Sequence, residues 1–198
     1  MAALDERHRQ QQQALAGRLA DSLGALIATW ETLDEDELRA YHDRAYPRVA
    51  GGQRTAARLA AAYGLALTRR PGVAPGAVDV SGALRSSGVE IDPESRSLVA
   101  PPLRARALVA EGATLLEAKA AARDYAGQLG SLDLQAAQRV GLEQGVGAGG
   151  ARIGGYRKQL AGSACSWCVE TAQEVYHSAD AVPFHHNDGC SVAPVLAT

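Results

Sequence analysis

The chain has 198 residues, with 20 basic and 22 acidic side chains and a formal net charge of −2. This near balance differs from the strongly basic surface of a dedicated duplex-DNA-binding protein. The first residues, Met1 to Glu6, carry no apolar stretch of the kind found in secretory signals. No apolar run reaches the length of a membrane span. We therefore expect a soluble protein made in the cytosol.

The apolar residues indicate a mainly α fold. Hydrophobic residues make up 46% of the chain, but they are largely Ala and Leu, with one Phe and one Met. Small side chains allow helices to pack closely but give a thin core. We expect an elongated helical body that benefits from a structural ion or an assembly partner, followed by a small C-terminal β-hairpin/helix module of the Cys-His, zinc-knuckle-like type.

Residues 1–70 are predicted to form N-terminal antiparallel helices. Apolar residues recur at spacings of three and four over residues 5–31, which is typical of one buried helix face. The turn that follows is very short, so the first two helices should pack antiparallel. The predicted buried face of the first helix consists of Leu15, Leu19, Leu23, Leu26, Ile27 and Trp30.

The second helix begins at a capping-box variant, Asp34-x-x-Glu37, in which Asp replaces the usual Ser or Thr. Farther along, Pro47 and the pair Gly51-Gly52 predict a kink or a break. A third helical segment would follow and end at Pro71-Gly72.

Residues 71–102 are predicted to be an extended arm, because they are rich in Pro, Gly and Ser and contain only short apolar stretches. Long loops without secondary structure are uncommon inside compact domains. Two interpretations stay open: one small hairpin, or an arm that acquires its shape by lying on another subunit.

Residues 103–150 are predicted to form a helical segment that ends in a Gly-rich joint. Gly112 marks a break in the first part, and Ser131 is a suitable N-cap for a further helix over 132–144. Seven glycines then lie between Gly141 and Gly155. A phosphate-binding loop would need Gly-Lys-Ser/Thr after a strand, which is absent from the sequence, so we interpret this stretch as a flexible joint.

Residues 151–198 contain all three cysteines and three of the five histidines. We predict a strand over 156–160, a Cys-x-x-Cys turn, a short helix through Ala172 and Val175, and a final strand over 191–195. Two strands and one helix bury too little surface to fold alone. Binding of a metal ion would supply folding free energy to such a module.

The predicted metal ligands are Cys165, Cys168, His185 and Cys190. Four nitrogen and sulfur ligands match a closed tetrahedral zinc site, which is structural because no coordination position is open. His186 competes with His185 for the same position, and the sequence does not decide between them. Asp188 is a further oxygen donor, although its place beside Gly189 favours a role in a turn.

Two alternatives to zinc stay open for the cysteines. They could be unmodified thiols, or Cys165 could form a disulfide with Cys168 or Cys190 outside a reducing compartment. The other histidines, His8, His42 and His177, lack partners at ligand spacing and are predicted to lie on the surface. The aromatic residues beside the cluster, Trp167 and Phe184, are predicted to shield it from water.

The order of these motifs resembles the phage minor head proteins related to the F protein of phage Mu, in particular the MuF-like versions of actinobacterial phages. The similarity covers nearly the whole chain and is specific in the last forty or so residues. Asp188 stands where many members have a cysteine. The matching motifs are the Ala-Ala-x-x-Ala-Tyr pattern near 56–63, Gly-Tyr-Arg, Ser-x-Cys-Ser-Trp-Cys, Val-Tyr-His-Ser and Phe-His-x-x-Asp-x-Cys-Ser-Val-x-Pro-Val.

The resemblance implies a non-enzymatic structural virion protein, assembled in the host cytoplasm and located at or near the portal inside the head. Such a protein acts in head assembly and in genome packaging or delivery. Its expected partners are the portal protein, the major capsid protein or both, without a membrane or a small-molecule substrate. Local basic patches such as Arg69-Arg70 could contact packaged DNA without sequence specificity.

The alternative function is a zinc-stabilised HNH-like nuclease, since Cys-x-x-Cys followed by His185-His186-Asn187 also resembles that class. A nuclease needs a His base and a second residue that holds a catalytic ion beside the phosphate. Three adjacent side chains on one turn cannot all reach one phosphate. A nucleic-acid-binding zinc knuckle is disfavoured because acidic residues outnumber basic ones around the cysteines.

Overall fold

A computed structural model describes residues 2–160, 164–179, 181–183 and 190–197. The fold is mainly helical, with a two-stranded antiparallel sheet near the C-terminus. This confirms the predicted mainly α class with strands confined to the last segment. The elements are α1 (Ala2–Ala28), α2 (Glu35–Thr68), α3 (Val80–Ser86), α4 (Arg96–Ala110), α5 (Leu115–Gly149), β1 (Ile153–Gln159), α6 (Ser166–Thr171) and β2 (Ser191–Leu196).

The first two helices pack antiparallel, as predicted. Trp30, two residues after the end of α1, meets Tyr41 near the start of α2 in an edge-to-face contact, with ring centroids 5.3 Å apart. At the other end of the pair, Tyr63 of α2 lies beside Asp5 of α1. The predicted apolar face of α1 is buried from Leu15 through Trp30.

The turn between these helices is held by the predicted capping residues. The Asp34 carboxylate accepts a 2.9 Å hydrogen bond from the Glu37 backbone N–H. The Glu37 carboxylate accepts from the backbone N–H groups of Glu31, Thr32 and Leu33, at 2.6, 3.0 and 2.7 Å. The Glu37 carboxylate thus binds the backbone of the turn before Asp34. In the usual capping box it would accept from the N–H of the cap residue itself.

The predicted break near Pro47 does not occur, because α2 runs as one helix from Glu35 to Thr68. At 1.5 Å per residue, its 34 residues span about 50 Å. Gly52 serves close packing: a Cβ at this position would lie 3.0 Å from Leu134 Cδ2 of α5. Burial of one continuous face outweighs the one hydrogen bond that Pro47 removes.

The prediction of a flexible joint in the glycine-rich stretch was also wrong, since α5 is a single helix through Gly149. The predicted break at Ser131 does not occur either. Gly141 and Gly145 share one face of α5, and a Cβ on either would collide with the carbonyl oxygen of Ala57 or Ala61 in α2. The glycines therefore allow two helix backbones to touch. We call this contact the α2–α5 glycine contact. The helix ends at Gly150, which has the left-handed φ of 72°.

Residues 71–102 form neither a hairpin nor an extended arm, because they contain α3 and the first turns of α4. Their apolar residues Val80, Leu84, Ile91 and Leu98 belong to the main core. The buried side chain of Gln53 in α2 fixes the intervening loop: Nε2 donates to the Val89 carbonyl and Oε1 accepts from the Ile91 N–H, each at 2.8 Å. This segment thus packs on the chain's own helices.

The predicted break at Gly112 is confirmed. This glycine has a φ of 98°, and α4 ends two residues before it. A capping box of Thr114 and Glu117 then opens α5. Within the part of the chain that the structure describes, no helix is both long enough and apolar enough to cross a bilayer.

Candidate metal centre

The C-terminal residues form a strand, a short helix and a second strand, close to the predicted elements. β1 pairs with β2 in antiparallel register, from Ile153 opposite Leu196 to Gln159 opposite Ser191. Tyr156 on the other edge of β1 exchanges two backbone hydrogen bonds with Tyr176, at 2.8 and 2.7 Å. These pairings place α6 beside the beginning of β2.

The cysteines lie at the points where these elements meet. Cys165 caps the N-terminal end of α6, Cys168 lies one helical turn later, and Cys190 immediately precedes β2. Cys168 and Cys190 are buried and pack together with Ala164, whereas Cys165 is exposed. The strand pairing therefore brings residues that are more than twenty positions apart in the sequence to one end of the module.

The Cys165 and Cys168 sulfurs have the separation expected of two ligands to one zinc ion. Their Sγ atoms are 3.7 Å apart. Two thiolates at about 2.3 Å from a tetrahedral zinc lie roughly 3.8 Å from each other. The same distance is far longer than a disulfide bond, and the three cysteines form no disulfide in the described residues. This pair fits the predicted ion.

The fourth predicted ligand, His185, lies outside the described residues, as do His186, Asn187 and Asp188 and the shielding residue Phe184. In the described ranges, His, Cys, Asp and Glu side chains form no group of three or more that could hold an ion. Zinc at Cys165, Cys168, His185 and Cys190 therefore stays a prediction. The second shielding residue, Trp167, is 39% exposed.

A lysine outside the predicted ligand set lies against the Cys168 sulfur. Lys158 on β1 is 2% exposed, and its Nζ donates to Cys168 Sγ at 3.3 Å. The same ammonium lies 4.6 Å from the centre of the Trp167 ring, a cation–π distance. The sequence does contain a signal for the burial of Lys158. Side chains alternate between the two faces of a strand, so Lys158 lies on the same face as the buried Tyr156.

A polar network attaches the module to the helical body. The Tyr63 hydroxyl donates to Asp5 Oδ1 at 2.9 Å and accepts from Gln159 Nε2 at 3.2 Å. Gln159 Oε1 in turn accepts from the Ser191 hydroxyl at 3.0 Å. This chain of four side chains links α1, α2, β1 and β2. We call it the Tyr63 network.

His8 stacks on the Tyr63 ring, with centroids 4.2 Å apart and planes 2° from parallel. It is 4% exposed, so the prediction that His8 is a surface residue was wrong. Burial lowers the pKa of His8 to about 4, against the opposing effect of Asp5. Burial also raises the pKa of Tyr63, and its hydrogen bond to Asp5 acts in the same direction.

Apolar contacts reinforce the attachment. A second core cluster joins Tyr63 and Val146 of the long helices to Tyr156, Val182 and Val192 of the C-terminal segment. The Ala179 N–H also donates to Glu143 of α5 at 3.1 Å. The module therefore has a fixed place on the helices.

Comparisons with protein-family models, with curated proteins and with solved structures find no match to this chain.

Proposed function

We propose that this chain is a structural minor head protein of a tailed phage, of the MuF-like kind, that lies at or near the portal inside the head. The observation that supports this most directly is the C-terminal Cys module attached to a body of long helices, because its motifs carry the resemblance to that family. In this proposal the protein contacts the portal protein, the major capsid protein or both during head assembly and genome packaging or delivery.

Exposed apolar side chains on the helical body support a role in assembly. Leu103 on α4 is 55% exposed, and Leu116 near the start of α5 is 78% exposed. Val99 and Val109 of α4 are 38% and 40% exposed. Large apolar side chains at a surface are the groups that a subunit buries against its partners. We expect Leu103 and Leu116, the most exposed of these side chains, to contact a neighbouring head protein.

Zinc is the structural cofactor in this proposal, held by Cys165, Cys168, His185 and Cys190. The 3.7 Å separation of the first two sulfurs supports it. The ion would stabilise a module whose described residues form two strands and one six-residue helix. Elemental analysis of the purified full chain tests this assignment, with one zinc per chain as the expected result and no bound metal as the contrary one.

The location is tested by quantitative mass spectrometry of purified heads. We expect a small number of copies, comparable with that of the portal protein; a chain found only in the lysate would contradict the proposal. Leu103→Asp and Leu116→Asp should reduce incorporation into heads without loss of helical content. Ala14→Asp, at an exposed position of α1, is the matched control.

The proposal assigns no catalytic activity to the chain. A plasmid-nicking assay with the purified protein and Mg²⁺ distinguishes it from the HNH-like nuclease. Nicking that is lost in His186→Ala would contradict the structural role and support the nuclease. We expect the plasmid to stay intact with the wild-type chain and with His186→Ala.

A further inference from the structure

A cavity of about 170 Å³ lies between the end of α1 and the start of α2, and Trp30, Glu37, Tyr41 and Arg44 are among the residues that line it. We call it the Trp30–Tyr41 cavity. Each water in the liquid occupies about 30 Å³, so the cavity has room for roughly five waters or for one small organic molecule. Trp30 and Tyr41 are both 2% exposed, and their rings meet edge to face.

Trp30 and Tyr41 each carry a buried polar atom without a partner. Neither Trp30 Nε1 nor the Tyr41 hydroxyl has a hydrogen-bond partner in the part of the chain that the structure describes. An indole N–H can only donate, and burial raises the pKa of Tyr41, so its hydroxyl stays protonated and can donate as well. Buried donors are normally hydrogen-bonded, because leaving one unpaired costs free energy. Two such donors beside one cavity point to a bound acceptor.

The charges around the cavity favour a negatively charged acceptor. Arg44 is exposed, and its guanidinium forms no ion pair or hydrogen bond with the residues that the structure describes. Glu37 also lines the cavity, but its two oxygens accept from three backbone N–H groups of the preceding turn. The turn thus occupies the Glu37 carboxylate, whereas the positive charge of Arg44 remains for a ligand.

We propose that the Trp30–Tyr41 cavity binds a small carboxylate of the size of acetate or propionate. The indole N–H and the phenol O–H donate to the carboxylate oxygens, and the Arg44 guanidinium supplies the counter-charge. Water would satisfy the two donors but leave the Arg44 charge unpaired. The cavity is smaller than the roughly 300–1,000 Å³ of sites for drug-sized ligands, which limits the ligand to a few atoms. This site does not depend on the proposed role in a phage head.

Proton NMR of the full chain during titration with sodium acetate, at constant ionic strength, tests the proposal. The indole N–H signal responds directly to a new hydrogen-bond acceptor. The chain has two tryptophans, so the spectrum of Trp167→Phe identifies the Trp30 signal. We expect this signal to move to lower field and to saturate. Acetamide has nearly the same shape without the charge and should bind roughly 10-fold more weakly or worse.

Two substitutions separate the contributions of the ligand-binding groups. Tyr41→Phe removes one donor and Arg44→Gln removes the charge, and each should weaken acetate binding roughly 10-fold. Arg44 is exposed, so Arg44→Gln still tests the site if circular dichroism shows that Tyr41→Phe does not fold. The matched controls are Tyr46→Phe and Arg18→Gln, because neither residue lines the cavity. Both controls should bind acetate as the wild type does.

Three results would overturn the proposal. A Trp30 signal that acetate does not shift would leave only water as the occupant of the cavity. Equal affinities for acetate and acetamide would refute the assignment to a carboxylate. Acetate binding that is as tight in Arg44→Gln as in Arg18→Gln would show that the guanidinium is not the counter-charge.

Discussion

The Tyr63 hydroxyl of α2 donates a 2.9 Å hydrogen bond to Asp5 of α1 while it accepts one from Gln159 of β1. One phenol oxygen thus joins three elements that are distant in sequence. A net contribution of about 1 kcal/mol is typical of each such hydrogen bond.

Tyr63→Phe should therefore lower the free energy of unfolding by about 1–2 kcal/mol, since it removes both hydrogen bonds and leaves the Gln159 amide without its acceptor. Urea unfolding followed by circular dichroism measures the change. Tyr46→Phe is the control, because Tyr46 is partly buried against the core and its hydroxyl has no hydrogen bond among the described residues. Equal effects of the two substitutions would contradict the role of the Tyr63 network.

His8 makes stability depend on pH. Its pKa is lowered by burial to about 4 in the folded chain, so between pH 6.5 and 4 the unfolded chain binds more protons. Stability should be full above about pH 6.5 and fall, by on the order of 3 kcal/mol, as the pH decreases to about 4. His8→Phe keeps a ring against Tyr63 and removes this titration. Unfolding free energies measured from pH 4.5 to 7 should show a smaller slope for His8→Phe; identical slopes would refute the assignment.

The α2–α5 glycine contact predicts that an alanine substitution destabilises the protein at one glycine of α5 and stabilises it at another glycine two residues later. In Gly145→Ala the new Cβ would collide with the Ala61 carbonyl oxygen, so we expect a loss of about 1–3 kcal/mol. In Gly147→Ala no atom lies within 4 Å of the new Cβ, and alanine should stabilise the helix by about 0.5–1 kcal/mol. Thermal unfolding of both variants compares them. A Gly145→Ala chain as stable as Gly147→Ala would show that the helices are not in backbone contact.

Gln53 is expected to hold the loop between α3 and α4 on the helical body. Gln53→Leu leaves the Val89 carbonyl and the buried Ile91 N–H without these partners, which should cost about 2–4 kcal/mol. Limited proteolysis should then cut within residues 87–95 faster than in the wild type. Arg54→Ala, which removes only a 3.9 Å surface ion pair with Glu90, should change neither property measurably.

The Asp34 cap gives a further stability prediction. Asp34→Ala removes the acceptor for the Glu37 N–H and should cost about 1 kcal/mol. Asp36→Ala is its control, because its ion pair with Arg39 joins two exposed side chains. Urea unfolding of the two variants should separate them; a loss confined to Asp36→Ala would show that the cap contributes nothing.

Local patterns predicted those parts of the fold whose causes are local in the sequence. Neighbouring residues determine four such features, so the sequence pattern is enough to predict them. They are the buried face of α1, the Asp34 cap, the Gly112 break and the two C-terminal strands. The continuous α2 and α5 helices were missed because Pro47 and the glycines normally weaken helices. The effect of the glycines reverses only where another helix backbone packs against them, which a single segment does not reveal.

The same distinction applies to the candidate site. The spacing of Cys165 and Cys168 predicted two sulfurs that can bind one ion, and their 3.7 Å separation agrees with that geometry. Burial of His8 depends instead on its stacking against Tyr63 of α2, and burial of Lys158 on its contacts with Cys168 and Trp167 of α6. The stacking of His8 on a tyrosine far along the chain has no signature in the residues next to the histidine, whereas the alternation along β1 does place Lys158 on the buried face.

Where Gly141 and Gly145 meet Ala57 and Ala61, peptide groups rather than side chains set the separation of the two longest helices. No rotamer can change there to absorb a shift, so the pair should behave mechanically as one stiff rod. Amide hydrogens near this crossing should be among the slowest to exchange with deuterium, later than those of α3 or α6. Any force applied at the C-terminal sheet would then be transmitted along the rod instead of being absorbed within it.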